Sequence, residues 1–164
     1  YEGGVRVPFI AAWAKPDAKN KFQKKYPIAQ NAVQLQQGTV MDLYPTILSV
    51  AHVKPPKHYA LDGADLKKLF QGKEDKKHRD DFLMHFPHGE HRANYFTSYR
   101  KGDWKLIYYY NPETTGVPTW KLYNLKDDPY EKTEVSAEHP EKTASMIEQM
   151  KDRLKEENAL YPEE

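Results

Sequence analysis

Between Phe82 and Asn124 the sequence runs on a period of two. Phe82–Phe86, Tyr95–Lys101, Trp104–Tyr110 and Thr119–Asn124 are short, rich in aromatic and β-branched residues, and separated by turn-forming residues. Gly102-Asp103 is the length of a tight hairpin, and Asn111–Pro118 reads as a longer connection. His139-Pro140 then opens a helix to about Asn158, in which Ile147, Met150 and Leu154 form one apolar stripe among Lys and Glu. Sequential strands with short connections pair as antiparallel neighbours, and a helix with one apolar face must bury it. The pattern therefore predicts an α+β fold: a four-stranded antiparallel sheet packed against a C-terminal helix.

The upstream part reads differently. Val5–Trp13 is an apolar run of strand length, entered through Gly3-Gly4, with Pro8 arguing for a sheet edge. Lys15–Gln30 is polar and reads as loop. Leu43, Ile47, Val50 and Ala51 recur at helical spacing, so a helix is expected over Leu43–His52, with Pro45 in its first turn and Lys54-Pro55-Pro56 after its end. Leu61–Phe70 holds a Leu-Asp-Gly loop and a brief helix closed by Gly72. The charged stretch Lys73–Asp81 marks the expected boundary, giving regions 1–72 and 73–164. One strand and one helix cannot bury both faces of a layer. Residues 1–72 thus read as a strand–helix remnant, the tail of a larger, incomplete α/β domain.

Composition removes several function classes. The 164 residues carry 25 basic and 24 acidic side chains, a net charge of +1, with both signs interspersed. Such a surface makes no field to draw in nucleic acid or anionic membrane, and neither is expected as a partner. Lys19–Lys25 and Lys73–Lys77 read as solvated loops. With no Cys there is no disulfide, thiolate zinc site or Cys nucleophile. No apolar run approaches the roughly 20 residues of a membrane-spanning helix.

Five strings carry a family resemblance. YEGGVRVPF, MDLYPTILSVAHV, LDGADLKKLF, YRKGDWKLI and KLYNLKDDPYEKTEV, in that order, resemble the closing part of the sulfatases, within the alkaline phosphatase-like superfamily. The likeness is greatest to bacterial sulfatases that cleave aryl or carbohydrate sulfate esters. It implies a parent protein that is a sulfuric ester hydrolase using formylglycine and calcium, with a periplasmic or extracellular location. In that family the Tyr-Glu-Gly-Gly turn follows a sulfate-contacting lysine by a few residues. The nucleophile string C/S-x-P-S-R is absent here, and no catalytic or metal-binding residue is assigned. Asp80-Asp81 and Asp127-Asp128 are read as boundary and turn residues, since a hard cation needs several converging oxygens.

The candidate site residues lie mainly in one segment. His85 and His88, at i and i+3 around Phe86-Pro87, precede Glu90, His91 and Arg92 and concentrate hydrogen-bonding groups. The resemblance places a similar His-x-Pro-His stretch near the substrate pocket. It implies that His85, His88, His91 and Arg92 contact a sulfated ring or its hydroxyls. Arg92 and Arg100 offer guanidinium forks for anionic groups, although Arg100 beside a hairpin reads as a surface residue. Glu2 and Arg6 are expected to line the pocket or to be structural. The aromatic set Tyr95, Phe96, Tyr99, Trp104, Tyr108, Tyr109, Tyr110, Trp120 and Tyr123 reads mostly as core, because alternation sends half of the rings inward.

Three functional readings follow. The chain is the C-terminal portion of a sulfatase, supplying pocket wall and stability, with the missing N-terminal catalytic domain and a sulfated small molecule or glycan as partners. Alternatively it is a free-standing glycan-binding or interaction module, or the corresponding part of a phosphodiesterase or phosphonate hydrolase. In the first reading the chain alone is inactive, and its uncovered strand edge at Val5–Trp13 promotes self-association.

Overall fold

The computed structural model describes residues 2–87, 95–110 and 119–161. The chain separates into two compact units, residues 1–7 with 81–164, and residues 8–80. The charged stretch Lys73–Asp81, where a boundary is expected, lies in the second unit up to residue 80. There the Gln36 amide donates to the Asp75 carbonyl (2.8 Å) and accepts from the Asp75 N–H (2.8 Å), while Gln34 Nε2 donates to the Lys73 carbonyl (3.0 Å). Two glutamine side chains thus hold the charged stretch as a strand partner would, and the unit extends to residue 80.

The first unit is built on a four-stranded antiparallel meander of order β1-β2-β3-β4: β1 Asp81–Phe86, β2 Phe96–Lys101, β3 Trp104–Tyr109 and β4 Trp120–Asn124. The β2–β3 turn uses Gly102 at φ +58°, a conformation in which a side chain is strained. The C-terminal helix α4, Pro140–Glu156, starts on Pro140 as its sequence dictates. Tyr99, Leu106 and Leu122, one from each of three neighbouring strands, form a buried core with Met146, Met150 and Leu154 of the helix. The buried line is therefore Met146–Met150–Leu154, and Ile147, expected to open the stripe, is only partly buried beside it. An i, i+4, i+8 line drifts around the helix, and the sheet's twist follows that drift. Both aromatic and aliphatic side chains on the opposite sheet face, Ile107, Tyr123 and Leu125 with Phe96 and Tyr109, make a second, smaller cluster. The β4 edge is covered at Leu122. Its N–H donates to Glu134 Oε1 (2.9 Å), and its carbonyl accepts from the Val135 N–H (3.0 Å).

The second unit contains three short helices: α1 Lys21–Lys25, α2 Leu43–Ala51 and α3 Lys67–Phe70. Helix α1 stands where a loop was expected. Asn20 Oδ1 caps it by accepting from the N–H groups of Phe22 and Gln23, and the rings of Trp13, Phe22, Tyr26 and His52 pack on one another. Helix α2 is entered through a 3-10 turn, Val40–Asp42. Asp42, 4% exposed, organises this region. Its carboxylate accepts from the N–H groups of Thr39 (2.6 Å) and Ala64 (2.8 Å) and lies 3.6 Å from His78 Nε2. Its carbonyl accepts from the Thr46 hydroxyl, which in turn accepts from the Leu66 N–H. Gly63 lies against the Met41–Asp42 backbone, where a Cβ would come 2.2 Å from the Met41 oxygen.

Val5–Trp13 forms no strand, contrary to expectation. A strand needs a ladder partner, which no described residue supplies, and Pro8 removes a donor. The run is held by side chains instead: within the second unit Phe9 stacks on Phe70 (5.9 Å) and Trp13 Nε1 donates to the Tyr26 carbonyl (3.1 Å).

Candidate functional site

Pairing aligns His85 with Thr97, Tyr108 and Trp120 across the four strands. Side chains in one row share a face. This row lies two residues beyond Leu83, Tyr99, Leu106 and Leu122, so it continues the helix-packed face to the end of the sheet. The connections between β1 and β2 and between β3 and β4 both leave from this end. His88, His91 and Arg92 fall in the first of them and lie outside the described residues.

His85 is bonded through both ring nitrogens. Nδ1 is 2.7 Å from the Thr97 hydroxyl, and Nε2 is 2.6 Å from the Leu160 carbonyl in the tail after α4. Thr97 Oγ1 is also 2.7 Å from the Tyr110 hydroxyl, which lies 3.4 Å from His85 Nδ1. The His85 ring packs edge-on against Tyr110 (6.0 Å) and Tyr161 (6.1 Å), Tyr110 against Tyr108 (4.7 Å), and Tyr108 against Trp120 (4.4 Å). Burial pushes the Tyr110 hydroxyl above the ordinary tyrosine value, outweighing the opposing hydrogen bond with Thr97, so it stays a neutral phenol at physiological pH. The row presents hydroxyls and aromatic rings.

Glu2 and Arg6 fall at the other polar feature of this unit. Glu2 opens a 3-10 turn, Glu2–Gly4, and is 3% exposed. Its carboxylate pairs with Arg100 Nη1 (2.8 Å) and Lys105 Nζ (3.2 Å), and its N–H donates to Glu131 Oε2. Lys105 Nζ also approaches Glu131 Oε1 at 2.8 Å, off the line of a hydrogen bond, so that contact is ionic. Two carboxylates and two cations thus balance in a buried cluster, and Arg100, expected at the surface, belongs to it. Glu131 sits at φ +54°, a strained conformation for a side-chain-bearing residue, which the cluster maintains. Arg6 is exposed, and its N–H donates to the Glu2 carbonyl (2.7 Å). The arrangement is an anchor for the N-terminal turn; its charges are spent on one another.

The described residues do not fit a metal, and the sequence holds no C/S-x-P-S-R string for a formylglycine. Among the described residues no three His, Asp or Glu side chains converge, and the chain has no Cys. Asp127 accepts from Asn124 Nδ2, and Asp128 Oδ2 accepts from the N–H groups of Lys132 and Thr133, which makes both turn residues. Asp81 lies 3.4 Å from Arg153 Nε and accepts from the Tyr99 hydroxyl. Among the described residues, no helix is long and apolar enough to cross a membrane.

Sequence reasoning missed Thr97, Lys105 and Glu131 as members of these clusters. The signal available for Lys105 was its alternation with Leu106: on the face opposite the core, a Lys flanked by Trp104 and Leu106 needs a carboxylate once it is covered.

A four-stranded antiparallel sheet with one helix across one face and an N-terminal acidic turn seated on the other define an α+β layer. The chain belongs to the C-terminal family of N-sulphoglucosamine sulphohydrolase, whose model matches residues 1–159. It is 33% identical over 170 residues to a sulfatase of Formosa agariphila, covering 94% of this chain and 27% of that protein. With human N-acetylgalactosamine-6-sulfatase it shares 30% identity over 138 residues, 77% of this chain and 23% of the relative. A solved structure described as a complex with its substrate D-glucosamine-2-N,6-O-disulfate superposes with a TM-score of 0.56 at 28% identity, over 70% of this chain and 23% of that one. The chain thus spans about a quarter of the length of these relatives.

Proposed function

We propose that this chain is the C-terminal part of a sulfate-ester hydrolase acting on sulfated carbohydrate, and that it contributes one wall of the substrate pocket and the stability of its surroundings. The family match over residues 1–159 carries this reading. Relatives named for N-acetylgalactosamine-6-sulfate, and a structural neighbour described with a disulfated glucosamine, favour a sugar over a simple aryl ester. In this division of labour the formylglycine nucleophile and the calcium ligands come from residues outside the chain. The sheet end at His85 and Tyr110, together with His88, His91 and Arg92, faces the alcohol part of the ester. The reading also places the protein outside the cytoplasm.

The test joins this chain to the sequence that precedes it in its gene and assays release of sulfate from 6-sulfated hexosamines. Turnover by the joined protein and none by residues 1–164 alone is expected. Turnover by the 164-residue chain alone would overturn the division of labour, and cleavage of phosphonate or phosphodiester but not sulfate by the joined protein would overturn the reaction class.

A further inference from the structure

The hydrogen bonds at the sheet end have a direction that follows from elementary donor chemistry. The Leu160 carbonyl can only accept, so His85 Nε2 carries a hydrogen. In the tautomer that carries its hydrogen on Nε2, Nδ1 is an acceptor and the Thr97 hydroxyl donates to it. With its own hydrogen spent, Thr97 Oγ1 accepts from the Tyr110 hydroxyl. The Tyr110 hydrogen is thereby committed inward, and the phenol oxygen retains acceptor capacity only. Beside it stand the Tyr161 ring, 58% exposed, and the half-buried rings of Tyr108 and Trp120.

We propose that Tyr110, with Tyr161 beside it, forms a sugar-contacting subsite that accepts a hydrogen bond from a ring hydroxyl, and that His85 is its positioning residue, acting through Thr97. The relay is built from a carbonyl, two hydroxyls and aromatic rings, none of them a charged partner. An acceptor in neutral surroundings takes a hydroxyl and gains nothing from a sulfate. The subsite therefore reads an unsulfated position of the glycan. This inference rests on the carbohydrate reading above and deepens it.

Two variants separate the roles of His85. His85→Asn retains a polar group where Nδ1 meets Thr97 and loses the bond to Leu160; His85→Gln does the reverse. The experiment is a two-dimensional NMR titration of the 164-residue chain with N,N′-diacetylchitobiose and, separately, with glucosamine 6-sulfate. Shifts at Tyr110, Tyr161 and the Trp120 indole are expected with both sugars at similar affinity. Tyr110→Phe and His85→Gln should each weaken binding about five-fold, the worth of one neutral hydrogen bond, while His85→Asn stays near the parent affinity. Long-range nitrogen–proton spectra should show the Nε2–H tautomer of His85. No shift at Tyr110 and Tyr161 up to the solubility limit overturns the subsite, and equal losses in the two His85 variants overturn its positioning role. Failure of the joined protein to release sulfate would leave this binding result standing, so the two readings fail separately.

Discussion

Lys105 and Glu131 face each other across 2.8 Å with side chains 5% and 0% exposed, and the same ammonium reaches Glu2 at 3.2 Å. A charge so placed must be matched, because removing one partner strands the others away from water. Lys105→Met should cost about 3–5 kcal/mol in urea unfolding, with an unchanged denaturant slope. Glu2→Gln combined with Lys105→Met should cost less than the sum of the two single changes, since the pair's absence is cheaper than half of it.

Helix α4 supplies a second expectation. Met150 is 2% exposed and in the core, whereas Ile147 is only partly buried. Met150→Ala should lower stability by about 2–5 kcal/mol. Met150→Asp should abolish the cooperative thermal transition, and Ile147→Asp should lower its midpoint and leave the transition in place.

Gly63 tests the organisation of residues 8–80. A methyl group there meets the Met41 carbonyl at 2.2 Å, and that oxygen belongs to backbone that Asp42 holds fixed. Gly63→Ala should therefore destabilise this unit by about 1–3 kcal/mol, read as faster amide exchange at Ala64 and Leu66 with exchange in β2 and β3 unchanged.

Glu134 sets part of the acid limb. Burial raises its pKa, but the N–H groups of Leu122 and Ser136 outweigh this and hold the carboxyl below its ordinary 4.5. A depressed folded-state value means stability that is present above pH 4.5 and lost as pH falls through the lower, folded value. Glu134→Gln should therefore flatten the pH dependence of the melting temperature below pH 4.5.

Residues 8–80 expose Phe9, Ile10, Val33, Leu35, Met41 and Ile47. Sedimentation at rising concentration should show self-association of the 164-residue chain. Deleting residues 1–14 should not yield a tidy monomer, because it also removes Glu2 from the buried cluster and destabilises the sheet.

The meander and its helix were legible because their signals are local: a period of two, a Gly102 turn, a Pro140 start. Helix α1 was hidden by its five-residue length and by lysines that look like loop, with only Asn20 to announce it. Val5–Trp13 misled because apolar residues in a row specify burial, and strand formation needs a partner that periodicity does not reveal. The Glu2 cluster and the His85 relay escaped for one reason. Glu2 lies 98 to 129 residues from its partners and the relay's bonded members lie 12 to 75 apart, and a lone charge or imidazole carries no mark of the partner it will meet. Arg100 was legible as a charge beside a hairpin and illegible as half of a buried pair.

The separation of 129 positions from Glu2 to Glu131 also imposes an order on synthesis. The acidic turn leaves the ribosome before residues 8–80, yet the cations and the carboxylate that receive it are made only after them. At ordinary translation rates Glu2 waits on the order of ten seconds for Glu131. During that interval the intervening unit has time to fold as a completed excursion, and the acidic turn, made long before the sheet, pairs with it afterwards. A ribosome stalled before Arg100 would hold a nascent protein whose first residues are still unclaimed.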